Sequence, residues 1–562
     1  RARLRSRRGS QRVTRRRRGW LAAGVGLLVV SVGTVAALAG LGPGGGEALP
    51  APHYTEEAEA AGLVHAYGGE FFHFVGGGVA VFDCDGDGRQ DLYMAGGEEP
   101  AALFRNRSPV GGALAFDPVP APATDMDHVV GAYPIDIDAD GNVDLAVLRV
   151  GENVLLRGIG GCAFERANEA WGFDGGAAWT TAFAASWEDP DALPTLAFGN
   201  YLKPDTVDDG SYVCDDDLLV RPDDSGRLYA PPETLSPSYC SLSMLFSDWD
   251  RSGRRDLRVS NDREFYRPPG EEQLWRMTPG AAPRLYTRAD GWQPVHLWGM
   301  GIASYDLTGD GYPEVFLTSQ SDNRLQTLAD GPAQPQYRDI AIERGATAHE
   351  PYTGDVDLQS TAWHSEFADV NNDGQIDLFV AKGNVEDLAD YAMRDPSNLL
   401  IGQADGTFVE GGMDAGIVSF ARARGAALAD LNMDGMLDLV IVNRRENVGL
   451  YRNVGSGTAD DPEPMGHSLT VRLQQDGANR DAIGAWVEVT AGNRVMRREV
   501  TVGGGHAGGQ LGWIHFGLGG AESASVTVIW PDGERGPAMP AEADSFGIIE
   551  RGSTAIEPWT PH

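Results

Sequence analysis

A nine-residue pattern, acidic or oxygen-bearing at positions 1, 3, 5 and 9 with glycine at position 6, constrains this chain more than any other feature, because it recurs. The intact copies are "DCDGDGRQD" (83–91), "DIDADGNVD" (136–144), "DWDRSGRRD" (248–256), "DLTGDGYPE" (306–314), "DVNNDGQID" (369–377) and "DLNMDGMLD" (430–438). A seventh frame, "WEDPDALPT" (187–195), keeps the spacing but has lost most of the pattern. Successive starts lie 51–63 residues apart. Such regularity defines a repeat architecture.

The flanks say what each repeat is. Short apolar or glycine-rich runs precede the loops ("GGGVAVF", "GMGIASY"), and β-branched or aromatic runs follow them ("LAVLRV", "LFVAKG"). Each loop therefore joins two strands of a hairpin. Position 10 is Leu92, Leu145, Leu257, Val315, Leu378 or Leu439, and position 12 is Met94, Val147, Val259, Leu317, Val380 or Ile441. Two residues apart on a strand share one face, so each copy presents an apolar face. An EF-hand needs a bidentate glutamate at position 12 and helices on both sides. That fold is excluded. Units of this length accommodate a four-stranded sheet each and predict the blades of a β-propeller, seven frames implying seven blades.

The loop chemistry points to a hard cation. The donors are Asp83, Asp85, Asp87 and Asp91, with the Arg89 carbonyl at position 7, in the first copy. They are Asp136, Asp138, Asp140 and Asp144 in the second, then Asp248, Asp250, Ser252 and Asp256. The fifth frame offers Asp306, Thr308, Asp310 and Glu314. The last two offer Asp369, Asn371, Asp373 and Asp377, and Asp430, Asn432, Asp434 and Asp438. Only oxygen donors occur, which disfavours zinc and copper. With a backbone carbonyl and waters they suit a Ca²⁺ shell better than the tighter Mg²⁺ octahedron. Asp and Gly also form ordinary turns, but a turn does not need four oxygens in one register six times over. Uncompensated, these carboxylates would repel one another. About six calcium ions are expected, and none in 187–195, where Trp187 and Ala192 replace the first acid and the glycine. Gly88, Gly141, Gly253, Gly311, Gly374 and Gly435 suit a turn needing positive φ.

On these residues ("GGGVAVFDCDGDGRQDLYMAGG" and its copies) the chain resembles FG-GAP/VCBS repeats, the blades of integrin-α-like propellers, over about 60–455. A polar linker (456–466) follows. The strands after it alternate ("SLTVRLQ", "AWVEVTAG", "SVTVIWPDG") and end in turn dipeptides. They predict a small β-sandwich-like domain over 467–556. Its "NRDAIGAWVEV", "REVTVGGG", "HFGLG" and "WPDG" are similar to the ASPIC/UnbV domain. One departure is "HAGGQ" (506–510), where such domains carry a Tyr-Leu-Ser-Gln-like stretch, so contacts made by that stretch are in doubt. The whole resembles the cartilage acidic protein 1-like family. That resemblance implies a calcium-binding protein of the adhesion or matrix-contact type and no established reaction. The expected fold class is all-β: a seven-bladed propeller followed by a β-sandwich-like domain.

The formal charge of −36 hides an asymmetry, since ten arginines lie within 1–18 and no acid precedes Glu47. A body this acidic excludes nucleic acid as a partner through a basic face. The segment 19–42 is apolar and uncharged, which predicts a transmembrane signal anchor after a basic cytoplasmic tail (1–18), with 43–59 as a linker. The alternative is a cleaved signal peptide ending near "ALAG". Either form predicts an exported body, anchored in the cytoplasmic membrane or secreted, whose partner is an extracellular protein or glycan. Export would permit disulfides. Cys214 and Cys240 bracket an insertion and are the favoured pair, leaving Cys84 and Cys162 unassigned.

No H-E-x-x-H or G-x-S-x-G motif occurs. His364 and His296 precede metal loops and are expected to pack or lie at the surface, and His515 to be structural. Trp179, Trp187 and Trp363 are expected in the core. No catalytic residue is assigned. The favoured reading is a non-enzymatic binding or adhesion scaffold. A polysaccharide lyase or hydrolase on a calcium-stabilised propeller, and an assembly subunit, are the alternatives.

Overall fold

The apolar runs around each nonapeptide form the two innermost strands of a blade, and the nonapeptide is the loop between them. The computed structural model describes residues 48–262, 270–354 and 357–561. Seven four-stranded antiparallel sheets follow one another. Their innermost strands are Val79–Phe82, Val129–Ile135, Thr180–Ser186, Ser241–Ser247, Gly299–Tyr305, Ala362–Ala368 and Arg422–Ala429. Each contacts its successor, and the seventh contacts the first, so the blades close a ring. The twelve residues at positions 10 and 12 of the intact copies are all buried between blades. The predicted period-2 face is the core face.

Ring closure uses a strand that the sequence hides. The seventh blade takes its outermost strand, His53–Glu56, from the N-terminal side, pairing antiparallel with Gly449–Gly455. The sequence placed 53–56 in a linker, because four residues reading His-Tyr-Thr-Glu carry no apolar periodicity. A partner strand nearly 400 residues away makes this a strand.

The C-terminal domain is a sandwich of two four-stranded sheets. One runs Ile514–Gly519, His467–Gln474, Ser545–Glu550, Glu557–Trp559, with a parallel pair at its centre. The other runs Arg494–Glu499, Trp486–Ala491, Ser523–Ile529, Met539–Glu542. Val471, Val487, Val489, Phe516, Val526 and Ile549 fill the space between them.

Between these sheets the chain leaves the sandwich and enters the bore of the propeller. Ala185 N–H donates to Val502 O (3.1 Å), Gly504 N–H to Met244 O (2.6 Å), and Ala132 N–H to Ala507 O (3.1 Å). Ile302 and Gly505 exchange backbone bonds, Val81 N–H donates to Gly509 O (3.0 Å), and His506 N–H donates to His364 Nδ1 (3.2 Å). Six blades are thus bonded to 502–510. The seventh approaches through Gly425, where a Cβ would lie 3.3 Å from His506 O. Gly78 and Gly131 make the insertion possible, since a methyl on either would collide with the Ala507 carbonyl. From the opposite end a 3₁₀ turn, Phe71–His73, and the glycines after it cap the bore. "HAGGQ" therefore binds its own propeller.

The expected membrane anchorage is corrected here. No helix among the described residues is long and apolar enough to cross a membrane. The segment 19–42, on which that expectation and the inferred export rested, lies outside the described residues.

Candidate metal-binding loops

All seven loops lie at one end of the blades, numbered here by blade so that loop 3 is 187–195. In the six intact loops the N–H of the position-6 glycine donates to the position-1 carboxylate, at 2.7 to 3.1 Å. The glycines have φ between 78° and 96°, a region that side chains resist. Position 4 is also left-handed in every intact loop, although it is Gly86, Ala139, Arg251, Gly309, Asn372 or Met433. Sequence reading missed that second turn point, because varied residues occupy it.

Position 9 locks the loop to its blade. Asp91 accepts the N–H of Cys84 at position 2 (2.7 Å) and that of Asn106 on the third strand (2.8 Å). Asp144, Asp377 and Asp438 repeat the pair with Ile137 and Gly158, Val370 and Gly402, and Leu431 and Asn453. Each keeps lone pairs free.

Loops 1 and 2 gather their acids most closely. One carboxylate oxygen from each of Asp83, Asp85 and Asp91 lies within 4.8 Å of the others, as does one from each of Asp136, Asp138 and Asp144. Burial pushes Asp91 and Asp144 up to about 8 and Asp136 to about 7, with neighbouring carboxylates adding to it. Burial also raises Asp369, Asp377, Asp430 and Asp438 well above the usual range. Asp136 Oδ1, Asp138 Oδ1 and Asn432 Oδ1 are buried and accept no hydrogen bond. Unpaired buried oxygens cost free energy, and a hard dication meets that need. The donor sets of loops 1, 2, 6 and 7 fit calcium. Arg105 pairs with Asp85, and Arg157 with Asp138 and Asp140, from the rim.

The other copies differ. In loop 5, Arg497 of the C-terminal domain reaches Asp306 Oδ2 (2.9 Å), and Glu314 accepts from Thr308 and Thr327. In loop 4, Arg254 lies against Asp250 and Asp256. In loop 3, Trp187 is buried and Asp189 caps Asp191 N–H. The loop end is where the C-terminal domain docks. Trp513 Nε1 donates to Gly88 O (2.9 Å), and His515 Nε2 lies 2.7 Å from Asn372 Oδ1.

Residues 475–554 match the family model of ASPIC and UnbV, and residues 83–147 and 369–441 that of the FG-GAP-like repeat. The chain carries FG-GAP-like repeats and an ASPIC/UnbV domain. The FG-GAP matches cover loops 1, 2, 6 and 7, the four whose donors fit calcium. No curated protein sequence matches the chain. Among solved structures, BBS1N in complex with ARL6DN is 11% identical, covering 74% of this chain and all of that one, with a TM-score of 0.41. AofleA from Arthrobotrys oligospora is 11% identical over 65% of this chain and 92% of its own, with a TM-score of 0.34. The Dos1 propeller is 10% identical over 71% and 97%, also at 0.34. Such distant likenesses say nothing of what this FG-GAP chain binds.

Both disulfides form. Cys214–Cys240 is the pair favoured by spacing, and Cys84–Cys162 ties position 2 of FG-GAP loop 1 to a turn of blade 2. His364 is buried against the ASPIC/UnbV segment, and His296 Nδ1 lies 3.1 Å from Gly270 O. Trp179, Trp187 and Trp363 are core residues. Within the departing "HAGGQ" stretch, sequence reading assigned His506 itself no role, since a lone histidine in a glycine-rich run carries no motif.

Proposed function

We propose that this chain is a calcium-stabilised propeller that serves as a non-enzymatic binding scaffold, engaging a protein or glycan in the manner of adhesion proteins. The observation that carries the calcium reading is the convergence of carboxylate oxygens in loops 1 and 2, with Asp136 Oδ1 and Asp138 Oδ1 of loop 2 buried and without a hydrogen-bond donor. Calcium, when bound, would neutralise those acids and tie the first two strands of a blade to its third. Asp83, Asp85, Asp87 and Asp91 would hold it in loop 1, with the equivalent residues in loops 2, 6 and 7.

Two features support binding rather than turnover. The bore is filled by 502–510 from the loop end. At the other end Phe71, Phe72, Trp179, Tyr201 and Tyr212 form an aromatic cluster with ring centroids 4.8 to 5.9 Å apart. Trp179 and Tyr201 are buried beneath it, and the half-buried Phe71, Phe72 and Tyr212 are the rings that a partner could cover. Glycan-array and pull-down screens in calcium, with chelator as control, test the reading. Equal capture with and without calcium would count against it, as would calcium-dependent cleavage of an arrayed polysaccharide.

A further inference from the structure

We infer that loop 4 carries a built-in cation: the Arg254 guanidinium takes the place that calcium takes in its sibling loops, and this copy binds no metal. The inference rests on the calcium reading of those siblings.

The argument is a count of acceptors. A carboxylate offers about four lone-pair positions. In loops 1, 2, 6 and 7 the position-9 aspartate gives two of them to backbone N–H groups, as described above. Asp256 instead meets five donors. Its Oδ1 accepts from Met277 N–H (2.9 Å) and Arg254 Nε (2.9 Å). Its Oδ2 accepts from Trp249 Nε1 (2.9 Å), Arg254 Nη2 (3.2 Å) and Tyr286 OH (2.8 Å). No position remains for an ion.

The same guanidinium reaches position 3, with Nη2 3.3 Å from Asp250 Oδ2, while Asp250 Oδ1 accepts from Ser252 N–H. Position 5 is Ser252, so the loop has already lost one acid. Asp248 Oδ2 accepts from Gly253 N–H, and only its Oδ1 is buried without a donor. With position 9 saturated, position 3 paired with Arg254 and position 5 a serine, the loop falls short of the six to eight oxygens that calcium collects. Arg254 stands at position 7, within the loop, whereas Arg105 and Arg157 reach their acids from the third strand. A planar fork of fixed charge suits two carboxylates at once.

The loop's other arginines face outward and fasten the C-terminal domain. Arg251 pairs with Glu488 at 3.3 Å and lies over the Trp486 ring, and Arg255 donates to Pro531 O (3.0 Å). A permanent cation makes this docking site independent of the calcium supply.

The test is anomalous diffraction from crystals of the full chain grown with terbium in place of calcium, for the unaltered protein and for Arg254→Ala and Arg254→Gln. Peaks in loops 1, 2, 6 and 7, none in 248–256, and one additional peak there in Arg254→Ala are expected. Terbium luminescence sensitised by Trp249 should rise in step in solution. A peak within 248–256 of the unaltered protein would overturn the inference and leave the calcium reading intact. No peak in any loop would overturn both.

Discussion

The Nε2 atom of His506 accepts a hydrogen bond from the backbone N–H of Gly76 at 3.1 Å, so the two segments that enter the bore from opposite ends meet at one imidazole. Its Nδ1 faces Met300 O at 3.1 Å and must carry the proton. Burial holds its pKa down to about 3, so the ring is neutral throughout the physiological range. The neighbouring Trp363 ring lies 5.0 Å away.

His506→Ala should remove both bonds and strand Gly76 N–H and Met300 O in the core. Leaving such groups unpaired costs about 1–3 kcal/mol each. Denaturant unfolding should show a fall of that size without loss of the strand signature in circular dichroism. An unchanged midpoint would mean that water replaces the ring.

Gly78→Ala acts on the same contact from the propeller side. Its methyl would collide with the Ala507 carbonyl, so segment 502–510 should be displaced. Limited proteolysis should then cut between 500 and 511 in the variant, while the parent resists.

Chelation should lower the melting temperature, and added calcium should restore it. A ligand at one hundred times its Kd contributes about 2.7 kcal/mol per site. Asp144→Asn should remove one ion from the stoichiometry measured by calorimetry while the other loops keep theirs. Identical melts with and without chelator would refute the calcium reading.

The metal-free protein should lose stability as the pH rises. Asp91 and Asp144, held up to about 8 by burial, lie above their unfolded value near 4. A raised folded pKa gives stability that is complete below the unfolded value and lost as pH climbs through the folded one. The neutral His506 contributes no slope above pH 6.5, so the carboxylates govern the window from 6.5 to 8.5. In chelator the midpoint should fall across that window, by up to ~1.4 kcal/mol per pH unit for each such group. Calcium should flatten the trend.

Deleting residues 48–56 should open the ring at blade 7, since Gly449–Gly455 would lose its outer partner. A lower unfolding midpoint and concentration-dependent association through the freed edge are expected by light scattering.

Much of this was legible because period-2 burial and a repeated loop write themselves into local sequence. Leu92 and Met94 announce a core face by spacing alone, and six copies of one pattern announce a ring. What escaped the sequence depends on distant partners. His53–Glu56 becomes a strand only because blade 7 lacks one. The interior of 502–510 has no apolar pattern because it is held by backbone bonds and by absent side chains at Gly78 and Gly131. The unlike natures of the loops were hidden for the same reason. Arg254 and Arg89 both stand at position 7, yet Arg89 pairs with Asp87 at position 5 and Arg254 with the buried Asp256.

The closing strand also fixes an order of events during synthesis. His53–Glu56 leaves the ribosome early, and its partner Gly449–Gly455 follows nearly 400 residues later. At about 5–20 residues per second the first strand waits ~20–80 s for its place. The stretch 502–510 is made after every blade, so a ring that can already close has to admit it last. The nascent chain thus passes through a stage with seven blades and a hollow centre, when the backbone groups of Val81, Ala132 and Ile302 face water rather than the cork that later stops them.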